Sequence, residues 1–199
     1  MCLLATRRAG NLVGKSVLVT GCGPIGILSI ICARRAGADL IVATDLSDFT
    51  LHMARQMGAD QVINTGKTPD GLDGFAAEKG TFDVLYECSG ATPALTAGIH
   101  AMRPGGTIMQ LGLGGDMSLP MMASTAKELS LKGSFRFHEE FHTGVSLMQK
   151  GLIDVTPLIT HTVGIDDAVM GFELASARAR AVKAPVSVAG WAVRSRPRG

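Results

Sequence analysis

One stretch restricts this chain more than any other. Thr20-Gly21-Cys22-Gly23-Pro24-Ile25-Gly26 is a Gly-x-Gly-x-x-Gly run between an apolar, β-branched segment and a helical one. Residues 16–20 (SVLVT) read as a buried strand, and residues 24–36 as a helix with proline in its first turn and Gly37 just past its end. Gly21 permits the sharp bend, Gly23 keeps a Cβ away from an approaching pyrophosphate, and Gly26 lets helix and strand pack closely. The helix start adds unpaired N–H groups and a partial positive charge. The whole turn, Cys22, Pro24 and Ile25 included, is therefore a candidate phosphate cradle.

Such a turn needs an acid at the end of the next strand to hold the adenosine ribose. Residues 40–44 form that strand, and Asp45 follows it, nineteen residues past Gly26. Asp45 could instead cap the following helix with Ser47 and Asp48, but the register of strand, glycines and acid favours the cofactor. A 2′-phosphate would require a cation just after Asp45. Leu46-Ser47-Asp48-Phe49-Thr50 supplies none and adds a negative charge, so the expectation is NAD over NADP.

The alternation continues with a helix at 49–57 closed by Gly58 and strands at 61–64, 82–86, 107–111 and 129–132. Another helix starts near Pro93, and a Pro104-Gly105-Gly106 turn precedes the strand at 107–111. Continuous apolar strands between amphipathic helices imply an α/β fold with a doubly wound parallel sheet of the Rossmann type. After Gly133 the pattern changes to helices at 139–150 and 166–177, an extended piece at 157–163 and a last strand at 183–188. The expected organisation is a nucleotide-binding domain at 1–137, a C-terminal return segment at 138–190 and a disordered tail at 191–199.

Net charge is +2, and Arg194, Arg196 and Arg198 exceed it alone, so the body is near neutral and nucleic-acid or membrane-surface binding lacks support. No apolar run approaches the ~20 residues of a membrane span, and Met1–Arg8 lacks the order of a signal peptide. Cys2, Cys22, Cys32 and Cys88 show no metal or disulfide spacing, which suits free thiols in a cytoplasmic protein. Two rival chemistries fail on their own residues. Tyr86, the single tyrosine, has Gly90 rather than lysine four positions on, and Thr20 stands where S-adenosylmethionine enzymes carry an acid.

Several blocks in order carry a resemblance: Arg7-Arg8-Ala9-Gly10, VLVTGCGPIG, Met57-Gly58-Ala59-Asp60, Glu87-Cys88-Ser89-Gly90, Leu111-Gly112-Leu113-Gly114, Gly133-Ser134-Phe135-Arg136-Phe137 and Pro157-Leu158-Ile159-Thr160-His161. Together they resemble the cofactor half of the zinc-dependent medium-chain alcohol dehydrogenases, in the polyol branch of sorbitol and L-idonate dehydrogenases. The resemblance implies that Ile25 and Asp45 contact NAD. It places Leu111, Gly112 and Leu113 beside the nicotinamide, and Ser134, Phe135 and Arg136 along its ribose and carboxamide. Thr50 departs from an arginine that sorbitol dehydrogenase carries near the adenosine. In that family zinc sits in an N-terminal catalytic domain with a Gly-His-Glu block, which this sequence does not contain. The expectation is an NAD-binding half without catalytic residues or metal, inactive alone, that acts on a polyol when completed. The alternative is a non-catalytic NAD-binding module or a nonfunctional truncated product. An exposed apolar patch on the N-terminal helix and beyond Gly133 is expected, with a homo-oligomer possible.

His138-Glu139-Glu140-Phe141-His142 matches the H-E-x-x-H zinc-peptidase helix motif. The extended form fails at Val145 and Met148, so the competing reading is a buried stripe of Phe137, Phe141, Val145 and Met148 with the histidines at its edge. Met117, Met121 and Met122 read as gap-filling core or interface residues. Glu87 and Cys88 end a strand where cofactor contact and simple packing are equally open.

Overall fold

The computed structural model describes residues 1–177 and 181–188. In chain order it contains α1 (Cys2–Ala9), β1 (Ser16–Thr20), α2 (Pro24–Arg35), β2 (Leu40–Asp45), α3 (Asp48–Gln56), β3 (Gln61–Asn64), α4 (Asp73–Ala76) and β4 (Phe82–Glu87). Then follow α5 (Thr92–Ala101), β5 (Met102–Gln110), α6 (Met121–Ala126), β6 (Ser130–Gly133), α7 (Glu140–Gln149), β7 (Val163–Gly164), α8 (Ala168–Ser176) and β8 (Val186–Ser187).

Strands β1 to β6 form one parallel sheet in the order β3-β2-β1-β4-β5-β6. This is the doubly wound α/β arrangement. Chain order reverses between β1 and β4, and ligands of such sheets bind outside the carboxyl ends of the strands at that point. The strands pair because they are apolar on both faces: Val17, Leu18, Val19, Ile41, Val42, Ala43, Leu85 and Tyr86 are wholly buried. Each large apolar side chain of this kind contributes roughly 1.5–3 kcal/mol. One core layer joins Ile27 and Ile30 of α2 to β1 and β2, and the other joins Leu95 and Ile99 of α5 to Leu18 and Leu85.

The proline turn expected at 104–106 lies instead inside β5. Phe82 pairs with Met102 and Val84 with Thr107, so Arg103–Gly106 bulges out between two paired stretches. Gly105 makes the bulge possible at φ 75° and donates to the Lys127 carbonyl at 2.8 Å. The short helices α4 and α6 have no counterpart in the sequence reading. Residues 157–163 are extended only after a 3-10 turn at Thr156–Leu158, and β7 and β8 make a separate two-stranded parallel sheet. The tail expected at 191–199 lies outside the described residues.

The return segment is less enclosed than its periodicity suggests. Phe137, Phe141 and Met148 are 51%, 56% and 43% exposed, so the expected buried stripe is instead an open face, with Val145 only half-buried. What anchors α7 is polar. Glu140 is buried, pairs with Arg7 of α1 and accepts from the His138 N–H at 3.2 Å. Those backbone donors, its own N–H and that of His138, hold the Glu140 carboxyl below its ordinary range, with Arg7 adding to the effect. On the N-terminal helix, where an apolar patch is expected, Cys2, Ala5 and Thr6 turn inward and Leu3 and Leu4 are half-buried. Met121 and Met122 are exposed rather than core, while Met117 packs on the α5 layer. Among the described residues no helix is long and apolar enough to cross a membrane.

Candidate dinucleotide site

The glycine turn sits at the carboxyl end of β1, beside the point where chain order reverses. Gly21 adopts φ 86° and donates to the Thr44 carbonyl of β2 at 2.8 Å. A Cβ on Gly21 would stand 2.7 Å from the Ser89 nitrogen, and one on Gly26 would stand 1.8 Å from the Gly21 oxygen. Both glycines are required by backbone-to-backbone contact. Gly23 differs, since its Cβ would meet nothing within 4 Å. It caps α2 with Pro24 in the first turn, so free helical N–H groups face open space there. That is the shape a pyrophosphate requires, and a side chain at Gly23 would fill it. Ile25 is half-buried, and Cys22 is buried with its thiol 3.6 Å from the Thr44 carbonyl.

Asp45 ends β2 and turns toward this cradle. Its Oδ2 accepts from the Cys22 N–H at 2.6 Å, and its Oδ1 accepts from Leu46 at 2.8 Å and Ser47 at 2.9 Å. A carboxylate offers about four acceptor positions. Three are used, which leaves one on Oδ2 for a ribose hydroxyl. The helix cap itself is Ser47, which accepts from Thr50 N–H at 3.5 Å.

The other end of the cleft rests on Glu87, a residue the sequence left undecided. It is wholly buried at the end of β4 and accepts from five neutral donors. These are Ser89 N–H at 2.9 Å, the Ser89 hydroxyl, Gly90 N–H at 3.0 Å, Gln110 Nε2 at 2.7 Å and Thr20 Oγ1 at 3.4 Å. Its backbone carbonyl takes the N–H groups of Leu111 and Gly112, both at 2.8 Å. The turns after β1, β4 and β5 are thereby stacked backbone on backbone, since a Cβ on Gly112 would lie 2.2 Å from the Gly90 nitrogen. The sequence signal was an acid directly after an apolar strand and before Ser-Gly.

Leu111 is buried and Leu113 is 80% exposed, so only backbone is offered consistently across this stretch. Ser134 is buried, donates its N–H to Gln110 O at 3.0 Å, and has a hydroxyl without a partner, as does Gln110 Oε1. Two orphaned polar atoms beside the end of β5 fit a polar ligand, because buried polar groups are normally paired. Phe135 and Arg136 are exposed, with the guanidinium 4.2 Å over the ring. The glycine turn, Asp45, residues 111–113 and Ser134 thus share one edge of the sheet.

The histidine motif does not form a site. Helix α7 begins at Glu140, so His138 lies before it and the two histidines do not share a helical face. Among the described residues no group of three His, Cys, Asp or Glu is placed to hold a metal. The thiols are also poor ligands. Burial pushes Cys32 up to about 12 and raises Cys22 and Cys88 as well, which keeps them protonated. These residues do not fit zinc.

A six-stranded doubly wound sheet with this edge defines a Rossmann-type α/β protein. Residues 24–150 match the zinc-binding dehydrogenase family, and the chain belongs to that family. It is 38% identical to the L-idonate 5-dehydrogenase (NAD(P)(+)) of Escherichia coli over 90% of this chain and 52% of that one. Sorbitol dehydrogenase of Macaca fascicularis is 36% identical over 85% and 48%. The crystal structure of the Escherichia coli L-idonate enzyme superposes with a TM-score of 0.88 at 37% identity, covering 94% of this chain and 54% of that one. The chain spans about half the length of the curated relatives it matches.

Proposed function

We propose that this chain binds NAD along the carboxyl edge of its sheet, as the cofactor half of an oxidoreductase acting on the secondary alcohol of a polyol. The pyrophosphate lies on the turn from Gly21 to Gly26, the adenosine ribose on Asp45, and the nicotinamide end along Leu111–Leu113 and Ser134–Arg136. The observation that carries this reading is the Asp45–Cys22 hydrogen bond, which joins the ribose acid to the phosphate turn. The polyol class is taken from the relatives, an L-idonate and a sorbitol dehydrogenase.

Bound NAD⁺ supplies the hydride acceptor. The residues here bind and orient it: α2 directs N–H groups at the phosphates, and Asp45 fixes the ribose. Glu87 holds the turns that form the floor of the nicotinamide end, and the hydroxyl of Ser134 gains the partner it lacks. Calorimetric titration of the purified chain with NAD⁺ and NADP⁺ tests the reading. NAD⁺ binds saturably, and Asp45→Ala weakens it by about tenfold or more while NADP⁺ loses less, because the carboxylate both grips a hydroxyl and repels a phosphate. Equal losses for the two dinucleotides would remove the ribose assignment.

A further inference from the structure

The segment after Asp45 carries no cation, yet the fold delivers one from elsewhere. Parallel pairing of β2 with β3 sets Asp45 opposite Asn64, and Thr65 N–H donates to the Asp45 carbonyl at 3.0 Å. The turn that follows stands against the residue after Asp45: a Cβ on Gly66 would lie 3.4 Å from Leu46 Cδ2. From this turn Lys67 Nζ reaches Asp48 Oδ2 at 2.5 Å, while Asn64 Nδ2 donates to Asp48 Oδ1 at 2.6 Å. Hydrogen bonds from Lys67 and then Asn64 hold the Asp48 carboxyl below its ordinary range, so it is ionised at neutral pH.

We propose that Lys67, held by Asp48, is the residue that decides how strongly this site rejects a 2′-phosphorylated dinucleotide. The proposal rests on the reading that the cleft binds NAD. Asp45, Asp48 and Lys67 together leave one negative charge beside the ribose. Removing the lysine leaves two, and removing Asp48 leaves none while freeing the ammonium. The lysine side chain is 69% exposed and the aspartate 64%. Exposed pairs of this kind are weak, so an incoming phosphate can take the ammonium from Asp48. The repulsion expected from Asp48 on sequence alone is thus largely cancelled within the fold.

Titration of NAD⁺ and NADP⁺ against the full chain at low ionic strength tests this in the wild type, Lys67→Ala, Asp48→Ala and the double variant. The ratio of NADP⁺ to NAD⁺ affinity falls about tenfold in Lys67→Ala and rises about tenfold in Asp48→Ala. The double variant, with the wild-type charge sum, returns close to the starting ratio. Added salt compresses all of these differences. NAD⁺ binding retained with a ratio unmoved in both single variants overturns the assignment of Lys67 and leaves the NAD reading standing. A wild-type chain that binds neither dinucleotide overturns both.

Discussion

Up to Ser134 the chain turns its apolar side chains inward, and beyond Ser134 it turns many of them out. Of the seventeen large apolar side chains exposed among the described residues, eleven lie beyond Ser134, from Phe135 to Val188. Both regions have strong apolar periodicity, so hydrophobicity alone does not separate them. What separates them is neighbours. Strands β1, β2, β4 and β5 each have a paired strand on both sides, and α2 and α5 cover the two faces of the sheet they build. By contrast, α7 and α8 present Phe141, Met148, Val169 and Phe172 to solvent. The first region supplies its own burial and can hold a site rigidly, whereas the second is tied on by a few contacts such as Arg7–Glu140.

Equal substitutions should therefore have unequal effects. Gly26→Ala drives a Cβ into the Gly21 carbonyl and should lower stability in urea by about 3 kcal/mol. Gly164→Ala, with nothing within 4 Å of its Cβ, should stay within about 0.5 kcal/mol. Similar losses at both positions would erase the contrast. Glu87→Gln sets an amide against the Gln110 Nε2 donor and should lower stability by about 2 kcal/mol, with NAD⁺ binding weakened as the turns after β4 and β5 loosen.

Asp83 sharpens the contrast through pH. Burial raises its pKa, but the Ser16 N–H, Lys15 and Arg103 outweigh this and leave it lowered. Its contribution is present above the unfolded value of about 3.9 and is lost as pH falls through the lower folded value. Asp83→Ala should lower stability at pH 7 by about 1 kcal/mol and shrink the acid-induced loss, measured by urea melts from pH 7 to 2.5. The smallest effect belongs to the open face. Phe172→Ser should change stability by less than about 0.5 kcal/mol while lowering binding of an apolar fluorescent dye. Unchanged dye binding would mean that this face is covered in solution.

The legibility of the fold follows the same division. Strands such as residues 16–20 and 40–44 were readable because strands buried on both faces carry near-continuous apolar, β-branched-rich runs. Asp45 was readable because its distance from the glycines is set by one helix and one strand. The stripe of Phe137, Phe141 and Met148 misled because periodicity reports which residues share a face, not whether anything covers it. Glu87 was ambiguous because its five donors come from the turn after β4 and from the last residues of β1 and β5, which only the sheet brings together. Lys67 was invisible because only the pairing of β2 with β3 brings it beside Asp48.

The central claim is that the bare backbone from Gly21 to Gly26 receives a pyrophosphate. Gly23→Asp tests it most directly, since a Cβ at that position meets nothing within 4 Å and the carboxylate it carries is expected to enter the cradle. The account predicts saturable NADH binding by the wild-type chain and none by the variant, at matched thermal stability. Equal NADH binding by both proteins would contradict it.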